Sequence, residues 1–368
     1  MNVQNIQTPT LILNKALVLE NIQFMAEKAR KHHLSFRPHF KTHQSAEIGN
    51  WFKDAGVDKI TVSSVGMAEY FAKHGWKDIT IAFPLNIREL DDIENLAKSV
   101  KLNILISSLE TIQYLLKYLK QKTGFFIKID TGYHRSGVLP ENPEQIQQIL
   151  FSAASSKNLQ FKGFLSHFGH TYKAKNKQEV LSIFESGKKQ MDKLKNNFSE
   201  LFPNLIISIG DTPSCTLAND FKGIDEIRPG NFVFFDLMQS NIGVCKESDV
   251  AVVMACPVVD KYPERGEVLI YGGAVHLSKE YILDKLGNKI FGKVVQLTKN
   301  GWTEIKEEIY VTNLSQEHGI IKASRSFIEL LKIGDLLGIL PVHSCLTANL
   351  KKEYLTINDE LLEMWKGW

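Results

Sequence analysis

The sequence has little of what marks a secreted, membrane-bound or nucleic-acid-binding chain. It has only four cysteines (Cys215, Cys245, Cys256 and Cys345), with no paired spacing among them. That argues against a disulfide framework and fits a reducing compartment. No apolar run approaches the length of a membrane span, and Met1-Asn2-Val3-Gln4-Asn5 has no apolar signal core. A cytoplasmic protein without membrane contact is expected. An excess of one charge is also missing: 44 basic and 41 acidic side chains leave a net charge of +3. So even a balance gives no general attraction to nucleic acid or anionic lipid. Lysine pairs such as Lys188-Lys189 and Lys351-Lys352 stand among acids and read as solvated faces. Low-complexity linkers and internal repeats are absent.

What is present is a long alternation. The 368 residues are 43% hydrophobic, enough for a large core or two domains. Val18, Ile22, Met25 and Ala29 recur at helical spacing behind a possible cap at Asn14. Leu34 to Phe40 then reads as a first strand. Further β-rich runs cover Lys59–Ser63, Asp78–Phe83, Leu102–Ile106, Gly124–Ile129, Phe161–His167 and Leu205–Ile209, with a last short one near Ile227. Helical stretches such as Glu89–Ser99 and Gln178–Phe198 lie between them. Eight such units in roughly 240 residues suit a (β/α)8 TIM barrel, although an open doubly wound sheet gives the same alternation. After about Asn241 the texture changes to successive strands, with Asn300-Gly301 as a hairpin signal. A barrel over 9–240 followed by a smaller, mostly-β domain over 241–368, joined by residues 1–8, is the expected organisation.

Polar residues fall repeatedly at the predicted strand ends: Lys41, Asp130–Arg135, His167–Tyr172, Gly210–Ser214 and Arg228–Asn231. In a parallel barrel those ends carry the chemistry. In Arg37-Pro38-His39-Phe40-Lys41-Thr42-His43 a lysine ends an apolar strand beside other basic groups, a setting that favours the neutral amine needed for a Schiff base. The alternative is a solvated surface lysine. Gly210-Asp211-Thr212-Pro213-Ser214 and Arg228-Pro229-Gly230-Asn231 offer small residues, backbone N–H groups and hydroxyls suited to a phosphate, but each also makes an ordinary turn. His343-Ser344-Cys345, read as a strand, points imidazole and thiol to one side as a two-ligand metal site with open positions. A buried thiol beside a satisfied histidine is the competing reading.

As a set these motifs resemble the fold-type III pyridoxal-phosphate enzymes, in particular the metal-dependent D-serine dehydratase and D-threonine aldolase group with its alanine racemase-like barrel. The resemblance runs from Thr8-Pro9 to Asn349. It implies a Schiff base between pyridoxal 5'-phosphate and Lys41, a phosphate held by Thr212, Gly230 and Asn231, and Arg135 near the cofactor ring. The alternative role of Arg135 is an ion pair with Asp130. Ser166-His167-Phe168-Gly169-His170-Thr171-Tyr172 is similar to the dehydratases' His-x-Gly-His-Ser-Tyr, implying that Tyr172 contacts the cofactor and His167 packs on it. Two departures are Gln44, where the family often has a basic residue, and Leu165, where the dehydratases tend to carry another cofactor-contacting tyrosine. His343 and Cys345 match the zinc pair of the dehydratases, whereas the aldolases tend to have an acidic second ligand and prefer manganese. Glu317 and His318 fall in a further loop similar to the family's, with no role assigned.

The resemblance implies a PLP- and zinc-dependent lyase acting on D-β-hydroxy amino acids, working as a homodimer. Its first reading is D-serine dehydratase-like β-elimination to a 2-oxo acid and ammonia. The alternative is D-threonine aldolase-like cleavage to glycine and an aldehyde. An amino-acid racemase has no reason to carry the His-x-Cys pair. A non-catalytic pyridoxal-phosphate-binding protein would lack the second domain.

Overall fold

The computed structural model describes residues 5–367. The chain divides into two compact units: one takes the residues up to Ile22, Thr42–Ile48 and Asn231–Lys366, the other chiefly Gln23–Lys41 and Gly49–Gly230.

Strand β1 (Thr10–Leu13) precedes a helix over Lys15–Lys31. Asn14 caps that helix, its Oδ1 accepting from the N–H groups of Ala16 (3.1 Å) and Leu17 (3.4 Å). The second unit then contributes β2 (Ser35–Phe36), β3 (Ile60–Val62), β4 (Asp78–Pro84), β5 (Lys101–Ile106), β6 (Thr123–Ile129), β7 (Leu159–Ser166), β8 (Ile206–Ile209) and β9 (Glu226–Ile227). They form one eight-stranded sheet in the order β2-β9-β8-β7-β6-β5-β4-β3, and every pairing is parallel. A parallel bridge between His39 and Thr61 links the two ends, so the sheet closes into the expected (β/α)8 barrel. The first strand is shorter than Leu34–Phe40; past Phe36 the chain keeps pace with its neighbours through single bonds, His39 N to Pro229 O and Phe40 N to Thr61 O. The alanine racemase-like prediction thus holds for this unit.

Leu105, Phe126 and Leu165 form a buried apolar cluster, with Ala82 and Ile206 packed against it. These five residues come from five neighbouring strands, β4 to β8. Leu165, one of the two family departures, is therefore core. A chain of polar groups crosses the barrel between β2, β9, β8, β7 and β4. Arg37 Nε donates to Glu226 (2.8 Å) and its Nη1 to Asp78 (2.6 Å). Ser208 Oγ donates to the other Glu226 oxygen (2.7 Å) and accepts from Arg228 Nε (2.7 Å), while Arg228 Nη2 reaches the Ser166 carbonyl (2.7 Å).

In the first unit β10 (Val252–Tyr262), β11 (Glu267–Tyr271), a small hairpin of β12 (Ile282–Leu283) and β13 (Lys289–Ile290), β14 (Gly292–Thr298), β15 (Gly301–Glu304), β16 (Tyr310–Leu314), β17 (His318–Lys322), β18 (Leu336–Pro341), β19 (Glu353–Thr356) and β20 (Leu361–Glu363) follow. Six of them close a small antiparallel barrel in the order β11-β17-β16-β14-β18-β10, with β10 returning to β11. The predicted hairpin joins β14 to β15; Thr298 faces Gly301, so Lys299 and Asn300 are its central residues. Strand β1 belongs to this unit, pairing with β10 and β19. One prediction fails here. His343-Ser344-Cys345 is not a strand: β18 ends at Pro341, His343 is the N-cap residue and Ser344–Lys351 is a helix.

Among the described residues no helix is long and apolar enough to cross a membrane, and none of the four cysteines is in a disulfide.

Candidate active site

Each predicted cluster directly follows a barrel strand, at its C-terminal end. Asp130 follows β6, His167 follows β7, Gly210 follows β8 and Arg228 follows β9, while Lys41 lies two residues past the His39 bridge. Lys41 is held from behind by its neighbour. The buried Phe40 ring packs on Phe52 and Phe71 at 4.9 Å and edge-on to Trp76 at 5.0 Å. Gly49 keeps that aromatic nest tight, because a Cβ there would lie 3.4 Å from both Phe40 and Trp76. His39 Nδ1 accepts from the Lys41 N–H at 3.3 Å.

The mouth of this barrel is rich in positive charge. Burial, then Lys41, Arg228, His167 and Arg135, hold His39 well below its ordinary pKa. Burial, then Lys41 and Arg135, do the same to His167, whose Nδ1 is hydrogen-bonded to the Gly210 carbonyl. Both imidazoles are therefore neutral near pH 7. Burial first, with Arg228 and Arg135 adding repulsion, lowers Lys128 to about 7. Burial lowers Arg228 to about 10, against the pull of Glu226. The cationic groups gathered around His39 and His167 suit an anionic ligand, and pyridoxal phosphate fits that donor set.

The other predicted residues are placed as follows. Arg135 lies over the Tyr133 ring at 5.0 Å. Asp130 is not its ion-pair partner: one Asp130 oxygen accepts from the N–H groups of Gly132, Tyr133 and His134, each at 3.0 Å, and shapes the turn. Tyr133 was not singled out by sequence, yet its ring meets His167 edge-on at 5.8 Å and stacks near His170 at 6.3 Å. Gly169 makes room for it, since a Cβ there would come within 2.5 Å of the ring. Tyr172 Oη accepts from the Thr212 N–H at 3.1 Å, and the Tyr172 ring lies 6.2 Å from His167. Thr212 opens the short helix Thr212–Leu217, capped by Asp211, whose carboxyl burial raises to about 6. Gly230 closes this unit. Arg37, expected to press its charge on Lys41, is committed to Glu226 and Asp78 instead.

Asn231, His343 and Cys345 belong to the other unit. The Asn231 amide nitrogen donates to Asp236 (2.6 Å) and Ser344 Oγ (3.0 Å) and lies 3.5 Å from Cys345 Sγ. Its side chain is thus engaged beside the predicted metal pair, which leaves its backbone for any contact with a phosphate. Cys345 Sγ also lies 3.2 Å from Thr42 Oγ1. Asp236 is buried; burial raises its pKa, and nearby His343 works against that rise. Among the described residues no group of three or more His, Cys, Asp or Glu side chains gathers to hold a metal. A thiol and an imidazole two residues apart fit a soft divalent ion that keeps positions open for a substrate oxygen. Gln44 is buried, with Nε2 on Asn349 (3.1 Å) and its carbonyl on the Trp365 N–H (2.7 Å). Glu317 and His318 are exposed where β16 turns into β17.

Comparison with known proteins agrees with this geometry. The family described as alanine racemase, N-terminal domain, matches residues 13–237, and a putative serine dehydratase domain matches residues 251–357. A D-serine dehydratase from Dictyostelium discoideum is 30% identical, over 98% of this chain and 95% of its own length. The solved D-threo-3-hydroxyaspartate dehydratase from Delftia sp. HT23 superposes with a TM-score of 0.91 at 25% identity, covering 100% of this chain and 99% of that one. One solved mutant of that enzyme is described as its metal-free form. D-threonine aldolase from Filomicrobium marinum shares the fold with a TM-score of 0.84 at 19% identity, over 98% of this chain and 95% of that one. With its lysine-bearing barrel mouth and its closed β unit, the chain belongs to the D-serine dehydratase and D-threonine aldolase group of alanine racemase-fold, pyridoxal-phosphate-dependent lyases.

Proposed function

We propose that this lyase converts a D-configured β-hydroxy amino acid, D-serine first among them, into a 2-oxo acid and ammonia, with pyridoxal phosphate on Lys41 and a zinc ion on His343 and Cys345. The observation that carries the reading is the pair of donors together with Thr42. Its Oγ1 lies 3.2 Å from Cys345 Sγ within the same unit. The relatives named as dehydratases of D-serine and D-threo-3-hydroxyaspartate support the substrate class. Cys345 favours the dehydratase over the aldolase, because a thiol is a softer donor than a carboxylate and selects zinc over manganese.

When bound, pyridoxal phosphate supplies an electron sink for the pair left at Cα, and zinc supplies Lewis-acid pull on the β-hydroxyl. The chain's own groups do the rest. Lys41 Nζ would hold the resting cofactor and, once the substrate's amine has displaced it, would as a free amine take the Cα proton. Thr212, Gly230 and Asn231 hold the phosphate, and Tyr172 Oη steadies the Thr212 N–H. Arg135, fixed over Tyr133, holds positive charge beside the ring. His167, neutral and hydrogen-bonded to Gly210, packs against the cofactor without adding charge. The protein works as a cytoplasmic homodimer in this reading, which cysteines held out of disulfides and the family support; sedimentation of the holoenzyme tests the dimer.

The deciding assay supplies D-serine, D-threonine and D-3-hydroxyaspartate and measures 2-oxo acid against aldehyde. The expected result is 2-oxo acid and ammonia, abolished by a chelator that leaves the visible absorption of the bound cofactor in place. Borohydride should fix the cofactor on the peptide carrying Lys41, and a Lys41→Ala protein should take up none covalently. Aldehyde and glycine as main products, or turnover untouched by chelation, would refute the reading.

A further inference from the structure

We propose that Asp236 is the positioning residue of the His343/Cys345 pair, acting as the cap of a helix it does not belong to. The inference rests on the metal reading above. His343 occupies the N-cap position of the helix Ser344–Lys351 but makes no side-chain cap hydrogen bond. A helix start needs acceptors for its first N–H groups, and a capping side chain usually supplies one. Here an acceptor comes from elsewhere in the chain: the Ser344 N–H donates to Asp236 Oδ2 at 3.0 Å. The imidazole is therefore not drawn into capping its own helix.

The same carboxylate ties down the surrounding groups. Asp236 Oδ2 also accepts from Ser344 Oγ at 3.3 Å and from Asn231 Nδ2 at 2.6 Å, and that amide lies 3.5 Å from Cys345 Sγ. The other oxygen, Oδ1, caps Asp236's own helix, Leu237–Asn241, through the Gln239 N–H at 3.0 Å. One buried group, 1% exposed, thus joins the starts of two helices. Its approach is fixed by Phe235, which takes a left-handed φ of 49°, and by the bond from Met238 N to the Val342 carbonyl at 3.2 Å. Outer contacts of this kind set ligand direction, and losing one weakens metal binding by about 10- to 100-fold.

The test uses Co2+ alone, added to the metal-free protein with its cofactor in place. The wild type should show the near-ultraviolet absorption of a cobalt–thiolate bond. Asp236→Asn keeps the shape but removes the negative charge and replaces one of two accepting oxygens by an amide donor, which meets either the Ser344 N–H and the Asn231 amide or the Gln239 N–H. It should bind Co2+ about 10- to 100-fold more weakly, with a weaker thiolate band at saturation and unchanged visible absorption of the cofactor. Ser344→Ala removes the hydroxyl that donates to Asp236 and accepts from Asn231 and keeps the backbone bond, so a loss of at least two- to tenfold is expected, about one hydrogen bond or more; this variant decides the matter if Asp236→Asn does not fold. Wild-type cobalt affinity and band in Asp236→Asn, or in Ser344→Ala where only that variant folds, would reduce Asp236 to a structural cap and leave the metal reading standing. No thiolate band in the wild type would overturn the metal reading itself, and this inference with it.

Discussion

Glu226 is the most informative single residue to remove from the barrel. Its side chain is 2% exposed and receives Arg37 at 2.8 Å on one oxygen and Ser208 at 2.7 Å on the other. Ser208 in turn receives Arg228 at 2.7 Å. Glu226→Leu leaves Arg37 with Asp78 alone and removes the carboxylate that offsets Arg228. Breaking one side of a buried ion pair strands a charge in low dielectric and costs about 3–5 kcal/mol. For a unit of this size each kcal/mol moves Tm by about 2–4 °C, so a drop of roughly 6–20 °C is expected. Thermal and urea unfolding of the metal- and cofactor-free protein, followed by circular dichroism, measure it. The double variant Arg37→Met/Glu226→Leu strands less charge, since Asp78 keeps Lys101 at 2.9 Å. Its cost should fall well short of the sum of the single losses. A Glu226→Leu loss under about 1 kcal/mol, or strict additivity with Arg37→Met, would show that the buried chain carries no coupled charge.

Two further outcomes follow from the barrel mouth. His39 and His167 are neutral in the folded protein because burial and nearby cations depress them, whereas the unfolded chain takes up protons below about pH 6.5. Stability is therefore full above that value and lost as pH falls towards the folded-state pKa values, at about 1.4 kcal/mol per pH unit for each histidine; urea midpoints that stay flat from pH 7 to 5 would contradict this. Gly169→Ala should displace the Tyr133 ring, which a new Cβ would meet at 2.5 Å, and with it Arg135. Cofactor affinity and turnover should fall at least tenfold with a stability loss of only about 1–3 kcal/mol, and wild-type cofactor binding in that variant would show that Tyr133 does not position Arg135.

The local pattern of the sequence was enough for the alternation of strands and helices, the change of texture near Asn241 and the strand-end position of every predicted cofactor residue of the barrel. Those features rest on side-chain periodicity and on the rule that parallel strands present their C-terminal ends to the site, both of which act over a few residues. Lys41 stood out in the sequence because it closes an apolar strand among basic residues; the structure leaves it exposed, so its position and not its burial marks it. Tertiary structure alone decided how the barrel shuts, by the His39–Thr61 bridge, and which side chains neutralise its interior. Arg37 finds Glu226 across 189 residues, and no local signal near Lys41 says that its charge is already taken. The His343 segment shows the limit most clearly. Its Val-His-Ser-Cys pattern suits a strand, but it becomes a helix start because Asp236, 108 residues earlier than Ser344, supplies the missing acceptor. Such contacts are set by packing between distant segments, where neither periodicity nor turn chemistry leaves a trace in the sequence.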